Sequence, residues 1–321
     1  MNNSHLERLS RESLITNIRH ILEFTFVVTL KKVFDALVIL APHYVVKKQY
    51  AYIFRIRQKT YCWLTHNAGL FACLSTQLFT VRNLQINSQL LPCSINNFLS
   101  MRDFKSVLFS NTLSKYFKSP SAEAISTLRN IHLDSRVDII SHHGNYHDVF
   151  YNELNPEWFQ SYLDTYLAPS NLLRSRINYF ANKYTPKQGS LVGVIYRGTD
   201  KATEIAQDPI ESFFSIIDQI LKENSDASVI IQTDQYQVQQ SFCKRYSQRC
   251  TYIDELPTTT SNIVMHKIPK VVVNKDLWTL DLLAMAYYLS ICKTLIVNTG
   301  NVGFFTSMLS LLNGNRIIQL R

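Results

Sequence analysis

Leu191-Val192-Gly193-Val194-Ile195-Tyr196-Arg197-Gly198-Thr199-Asp200-Lys201-Ala202-Thr203-Glu204 is the stretch whose reading decides the fold. Its first six residues form an apolar run of strand length, fit to be buried on both faces. The run breaks at Gly198, and Thr199, Asp200, Lys201, Thr203 and Glu204 come directly after it. Packing alone does not call for a strand end this rich in charge. In open α/β sheets, ligands bind in the crevice outside the carboxyl ends of the strands. The stretch therefore reads as a site loop that grips an anionic, phosphate-bearing ligand.

Downstream, strand and helix periods alternate cleanly. Residues 209–224 place Ile210, Phe213, Phe214, Ile217, Ile220 and Leu221 on one helical face. Next are a strand over 228–233, a helix over 236–246 and a short strand over 251–253. Then come a helix over 278–290, a strand over 294–297, a helix over 302–312 and a closing strand over 316–320. Such alternation implies a parallel sheet with right-handed crossovers. Residues 188–321 are thus expected to form a Rossmann-like C-terminal domain.

Polar residues collect after three of these strands: Arg197–Glu204, then Thr233-Asp234, then Asn298-Thr299-Gly300-Asn301. The third group opens a helix, whose first N–H groups suit phosphate oxygens. Helix capping is the plainer alternative, since Asn, Thr and Asp all make good N-caps. Arg197 offers a planar, permanently charged fork to a diphosphate, and Lys201 a compact second cation. The chain has no P-loop, no Gly-x-Gly-x-x-Gly and no Asp-x-Asp. A diphosphate leaving group would then be held by Arg, Lys and helix N-termini, without a metal clamp or cofactor. Glu204 is the candidate general base for an acceptor hydroxyl.

The 321 residues suggest two domains, and 46% apolar composition excludes global disorder. Ten Lys/Arg against four Asp/Glu in residues 1–60 carry six of the nine net positive charges. Residues 1–58 are expected to form a basic helical extension, suited to an anionic membrane surface or equally to plain solvation. Phe24 to Val46 is interrupted by Lys31, Lys32 and Asp35 and does not read as a span. Residues 59–187 read as an N-terminal α/β domain, with a strand–turn–helix unit around Gly69 and a strand over 137–140. His143 and His147 have a spacing that can share a metal on a helix, but Gly144 and Asn145 disfavour that helix. The six cysteines lack any CxxC pair, and most sit in apolar company and read as buried thiols, a pattern that fits a reducing compartment.

Val192 to Lys201 resembles the first motif of the fucosyltransferases, Gly-Val-His-x-Arg-x-Thr-Asp-Lys. That motif is shared by α-1,6-fucosyltransferases, nodulation fucosyltransferases and, more distantly, protein O-fucosyltransferases. Thr203-Glu204 and Pro209-Ile210-Glu211 are similar to the α-1,6 continuation. Asp234 falls at a second motif, Asp281 to Asn301 resembles a third, and Asn67 to Phe71 is similar to the loop opening the acceptor-side domain. The resemblance implies an α/β, GT-B-like pair of Rossmann-type domains, with 59–187 on the acceptor side and 188–321 binding the nucleotide sugar. It implies GDP-fucose as donor, inversion and no metal. Arg197 would bind the β-phosphate, Glu204 act as base and Lys201 assist. Asp200, Thr233, Asp234, Asp281, Thr299, Gly300 and Asn301 would line the donor site. The chain departs at Ile195, where the motif has histidine, and in a Lys201–Glu204 gap one residue shorter.

The expected partners are a nucleotide-sugar donor and a glycan or other hydroxyl acceptor, with peripheral membrane contact through the basic N-terminus and no nucleic acid. The expected location is cytoplasmic, at a membrane surface where the N-terminus engages one. The competing readings are a non-catalytic relative, a transferase using another nucleotide sugar, and a metal hydrolase built on His142, His143 and His147.

Overall fold

The computed structural model describes residues 50–56, 59–65, 135–138, 149–156, 167–199, 208–260 and 274–320, with scattered positions between them. The chain divides into two compact units, Met1–Lys48 and Gln49–Arg321, and every described residue belongs to the second. Three strands open it: β1 (Tyr50–Ile56), β2 (Lys59–Thr65) and β3 (Ser135–Asp138). They form a sheet of order β2-β1-β3, and both pairings are antiparallel.

Strand β1 corrects the expectation of a helical extension reaching residue 58. Tyr50, Tyr52, Ile53, Phe54 and Ile56 are aromatic or β-branched and favour a pleated surface. All seven β1 residues pair with β2, from Tyr50 opposite Thr65 to Ile56 opposite Lys59. Cross-strand pairing thus decides the state of a segment that lies within the expected basic helical extension. The antiparallel pairing also differs from the parallel pairing that a second Rossmann-type half implies.

The second sheet holds β4 (Leu191–Tyr196), β5 (Ser228–Thr233), β6 (Cys250–Tyr252), β7 (Thr294–Asn298) and β8 (Arg316–Leu320). Its order is β6-β5-β4-β7-β8, and every neighbouring pair is parallel. Among the described residues, five helices pack against it: α1 (Asn171–Tyr184), α2 (Ile210–Glu223), α3 (Tyr236–Tyr246), α4 (Lys275–Leu289) and α5 (Asn301–Leu312).

Successive side chains of a strand point to opposite faces, so the apolar run of β4 supplies two cores at once. Val192, Val194 and Tyr196 join Val229 and Ile231 of β5 beneath Phe213 and Ile217 of α2 and Phe242 of α3. Leu191 and Ile195 join Ile230, Leu295 and Val297 on the other face, beneath Phe180 of α1, Tyr288 of α4 and Phe304 of α5. The result is a three-layer α/β/α arrangement. Gly193 keeps that second face narrow: a Cβ there would stand 3.1 Å from both the Cys292 sulfur and Leu295 Cδ1.

The strand order reverses direction at β4. From it the chain winds outward through β5 and β6 on one side, and through β7 and β8 on the other. The crevice between the carboxyl ends of β4 and β7 is therefore the topological switch point, where open α/β sheets bind ligands.

Phe304 is fully buried, and its ring lies edge-on to Tyr151 with centroids 5.6 Å apart. Phe304→Ala is expected to lower stability by about 3–5 kcal/mol through lost transfer energy and an uncollapsed cavity. Urea unfolding followed by circular dichroism measures this, and a loss below about 1 kcal/mol would contradict the packing described.

Candidate functional site

Two buried polar side chains shape the loop that leaves β4. Asn298, at the end of β7, is 5% exposed. Its Oδ1 accepts from the backbone N–H of Arg197 at 3.1 Å, and its Nδ2 donates to the Arg197 carbonyl at 2.9 Å. On the other flank Asp234, just past β5, is 3% exposed. Its Oδ1 accepts from the Gly198 N–H at 2.9 Å, and its Oδ2 from the Thr199 hydroxyl at 2.8 Å. Arg197 Nε stands 3.0 Å from the same Oδ2, a close charge contact without hydrogen-bond alignment. The Arg197 side chain remains about one fifth exposed.

The capping alternative for Asp234 therefore does not hold. Helix α3 has Gln235 at its N-cap and no side-chain cap bond. Thr233 forms the local turn instead, its hydroxyl accepting from the Gln235 N–H at 3.2 Å. The Gln235 amide lies over Gly198, where a Cβ would come within 2.2 Å of its Oε1. A side chain at 198 would therefore require the Gln235 amide to swing aside.

The turn after β7 is filled by the protein itself. The Gly300 N–H donates to the Tyr151 hydroxyl at 3.0 Å, and that hydroxyl donates to the Gly300 carbonyl at 3.2 Å. The Thr299 N–H donates to the Leu320 carbonyl at 3.0 Å, and the Thr299 hydroxyl accepts from Gln319 Nε2 at 2.9 Å. Gln319 Oε1 in turn accepts from the Tyr151 N–H at 2.9 Å. Asn301 begins α5. Its carbonyl accepts from the Ser75 hydroxyl at 3.5 Å. The Gly300 N–H, expected to hold phosphate, is here bonded to Tyr151. Nothing in the local sequence marks Tyr151 for this role, because its partner lies 149 residues away.

Asp281 faces helix α1. It is 2% exposed, and its Oδ1 accepts from Arg176 Nε at 2.5 Å. The Arg176 guanidinium also lies 4.5 Å above the Tyr179 ring. Burial raises the Asp281 pKa above the usual carboxylate value, while the hydrogen bond and charge of Arg176 pull it back. The pair joins α1 to α4 across 105 residues.

Ile195, standing where the motif has histidine, is fully buried in the core beneath α1, α4 and α5. The strand positions this side chain for packing, and its apolar character matches that place.

Asp200, Lys201 and Glu204 lie outside the described residues, as do His142, His143 and His147, the Asn67–Gly69 turn and the segment from Phe24 to Val46. Among the described residues, no helix is long and apolar enough to cross a membrane. Of the cysteines, Cys243, Cys250 and Cys292 are free thiols, with Cys292 buried and the other two half-buried.

No protein-family model matches the chain, and no curated protein does. Solved structures do. The chain is similar to solved fucosyltransferase structures. With the fucosyltransferase NodZ from Bradyrhizobium it shares 16% identity at a TM-score of 0.44, over 80% of this chain and 94% of that one. With the NodZ α-1,6-fucosyltransferase soaked with GDP-fucose it shares 13% at 0.43, over 77% and 91%. With the NodZ enzyme co-crystallised with GDP it shares 15% at 0.36, over 52% and 49%, so there the match spans about half the length of the relative.

The Arg176–Asp281 pair generates a prediction with a definite sign. Replacing Arg176 by Leu leaves a buried carboxylate uncompensated and is expected to cost about 3–5 kcal/mol at neutral pH. The folded pKa of Asp281 is raised, so ionising it opposes folding, and the cost grows as pH rises through its titration. The loss should shrink near pH 3, where the carboxyl is protonated, and the double variant Arg176→Leu/Asp281→Leu should recover most of it. Urea titrations at both pH values decide this; an equal loss at each would remove the charge explanation.

Proposed function

We propose that this protein is an inverting, metal-independent glycosyltransferase that moves fucose from GDP-fucose to a hydroxyl of a glycan or similar acceptor. The observation that carries the reading is Arg197, a cation held at the carboxyl end of the central strand, beside the switch point. It stands inside the stretch whose sequence resembles the first fucosyltransferase motif.

In the proposed reaction the acceptor oxygen forms a bond to the anomeric carbon as the bond from that carbon to the β-phosphate oxygen breaks. Glu204 takes the hydroxyl proton and Lys201 assists. Arg197 faces the charge that grows on the departing diphosphate, where a preformed donor contributes most. Asp200, Thr233, Asp234, Asp281, Thr299, Gly300 and Asn301 are the remaining residues assigned to the donor side. The Asp234 and Gly300 contacts support an indirect role for these two, since each is engaged with a neighbouring loop or segment, while Thr233 bonds within its own turn. Residues 59–187 would complete a GT-B-like arrangement on the acceptor side, and the basic N-terminus would make the peripheral membrane contact. No cofactor is required by this scheme.

A thermal-shift titration of the whole chain with GDP, UDP and ADP, with and without EDTA, tests the donor assignment. GDP at 100 times its dissociation constant should stabilise the fold by about 2.7 kcal/mol, with or without the chelator. Arg197→Ala should sharply reduce that shift while remaining folded, with weakened but measurable GDP binding, and Glu204→Gln should keep the shift while lowering transfer by about 10²–10⁴-fold. No shift with GDP on folded protein, or turnover retained in Arg197→Ala, would overturn the proposal.

A further inference from the structure

We infer that Asn298 is a positioning residue that sets the direction of Arg197, by substituting its side-chain amide for the missing next rung of the β4–β7 ladder. The inference rests on the proposed role of Arg197 as the diphosphate contact, but its geometry stands apart from that role.

The ladder between β4 and β7 runs from Val192 opposite Thr294 to Ile195 opposite Val297, and stops there. Beyond it β7 turns off through Thr299 and Gly300 into α5, while β4 runs on into Arg197. A parallel strand partner would have offered Arg197 one acceptor and one donor. Backbone divergence removes both, and a buried N–H or C=O left without a partner is costly. The Asn298 carboxamide supplies them, since it carries one acceptor oxygen and a donor nitrogen in the geometry of a peptide group. It accepts from the Arg197 N–H at 3.1 Å and donates to the Arg197 C=O at 2.9 Å. Both backbone groups of one residue are thus gripped by one buried side chain, which restrains the φ and ψ of Arg197 together.

The consequence is directional. Asp234 reaches the loop from the opposite flank through Gly198, Thr199 and the Arg197 Nε. With Asn298 holding the Arg197 backbone and Asp234 holding Gly198 and Thr199, the Arg197 side chain leaves a fixed backbone, and its Nε stands 3.0 Å from Asp234 Oδ2. Preorganised donors contribute most where charge develops, because they need no rearrangement at that moment. Neither near-isosteric replacement at position 298 reproduces the pair of bonds. Aspartate keeps the acceptor but turns a carboxylate oxygen toward the Arg197 carbonyl. Leucine keeps the volume and supplies neither group.

Two measurements on the whole chain test this. The first is amide hydrogen exchange of Arg197 and of Val194 in wild type, Asn298→Leu and Asn298→Asp. Positioning predicts at least tenfold faster exchange at Arg197 in Asn298→Leu, which loses the acceptor, and a smaller rise in Asn298→Asp, which keeps it, with Val194 unchanged. Equal Arg197 exchange in all three proteins would overturn the inference, whatever the ligand is. The second is GDP binding by calorimetry in a double-mutant cycle with Arg197→Ala. Asn298→Leu alone should weaken binding at least tenfold, and adding it to Arg197→Ala should weaken it no further. A merely structural role would instead give lower stability with unchanged GDP affinity per folded molecule, and that result would refute positioning. If wild-type protein binds no GDP, the donor assignment fails, while the exchange data still decide the role of Asn298.

Discussion

A carboxylate buried as deeply as that of Asp234 is tolerated only when donors surround it, and the form of the candidate site follows from that requirement. The donors come from the neighbouring loop, the Gly198 N–H and the Thr199 hydroxyl, with the Arg197 guanidinium as a close positive charge. Hydrogen bonds to a charged group contribute about 1.5–3 kcal/mol each, more than neutral ones, so Gly198 and Thr199 have little freedom to move away. Asn298 holds the same loop from the other side through neutral bonds to the backbone. The end of β4 is thus gripped from the ends of both its neighbours in the sheet.

That grip needs the sheet beneath it to be rigid. Burial of β4 on both faces provides the rigidity, because one run of six residues feeds both helical layers. A one-residue slip of β4 would exchange Ile195 and Tyr196 between layers packed for different shapes. The same slip would carry Arg197 out of register with both Asn298 and Asp234. Core packing and site geometry therefore share one constraint.

A second set of contacts ties residues 149–153 to the turn after β7. Tyr151 donates and accepts at Gly300 through its hydroxyl, while its backbone N–H meets Gln319 at the end of β8. Its ring is fully buried against Phe304. A chain segment from before α1 thereby completes a turn that belongs to the parallel sheet. The turn is consequently a structural junction as well as a candidate phosphate contact.

Much of the sheet was legible from local pattern. The spans of β4, β5, α3 and β8 agree with the apolar runs and helical periods that announced them, because burial imposes those periods directly on the sequence. The polar clusters after the strands were legible as well, because the carboxyl edge of a parallel sheet is where such groups can face a ligand. Strand β1 was not, since its pairing with β2 depends on a partner strand. Nor were the partners of the polar groups. Asn298 and Arg197 stand 101 residues apart, Asp234 and Gly198 36 apart, and Arg176 and Asp281 105 apart. The sequence by itself determined the order of strands and helices and the kinds of side chain at the strand ends. Only the tertiary structure decided which of those side chains satisfy one another, because hydrogen bonds are settled by distance in space and periodicity carries no record of it.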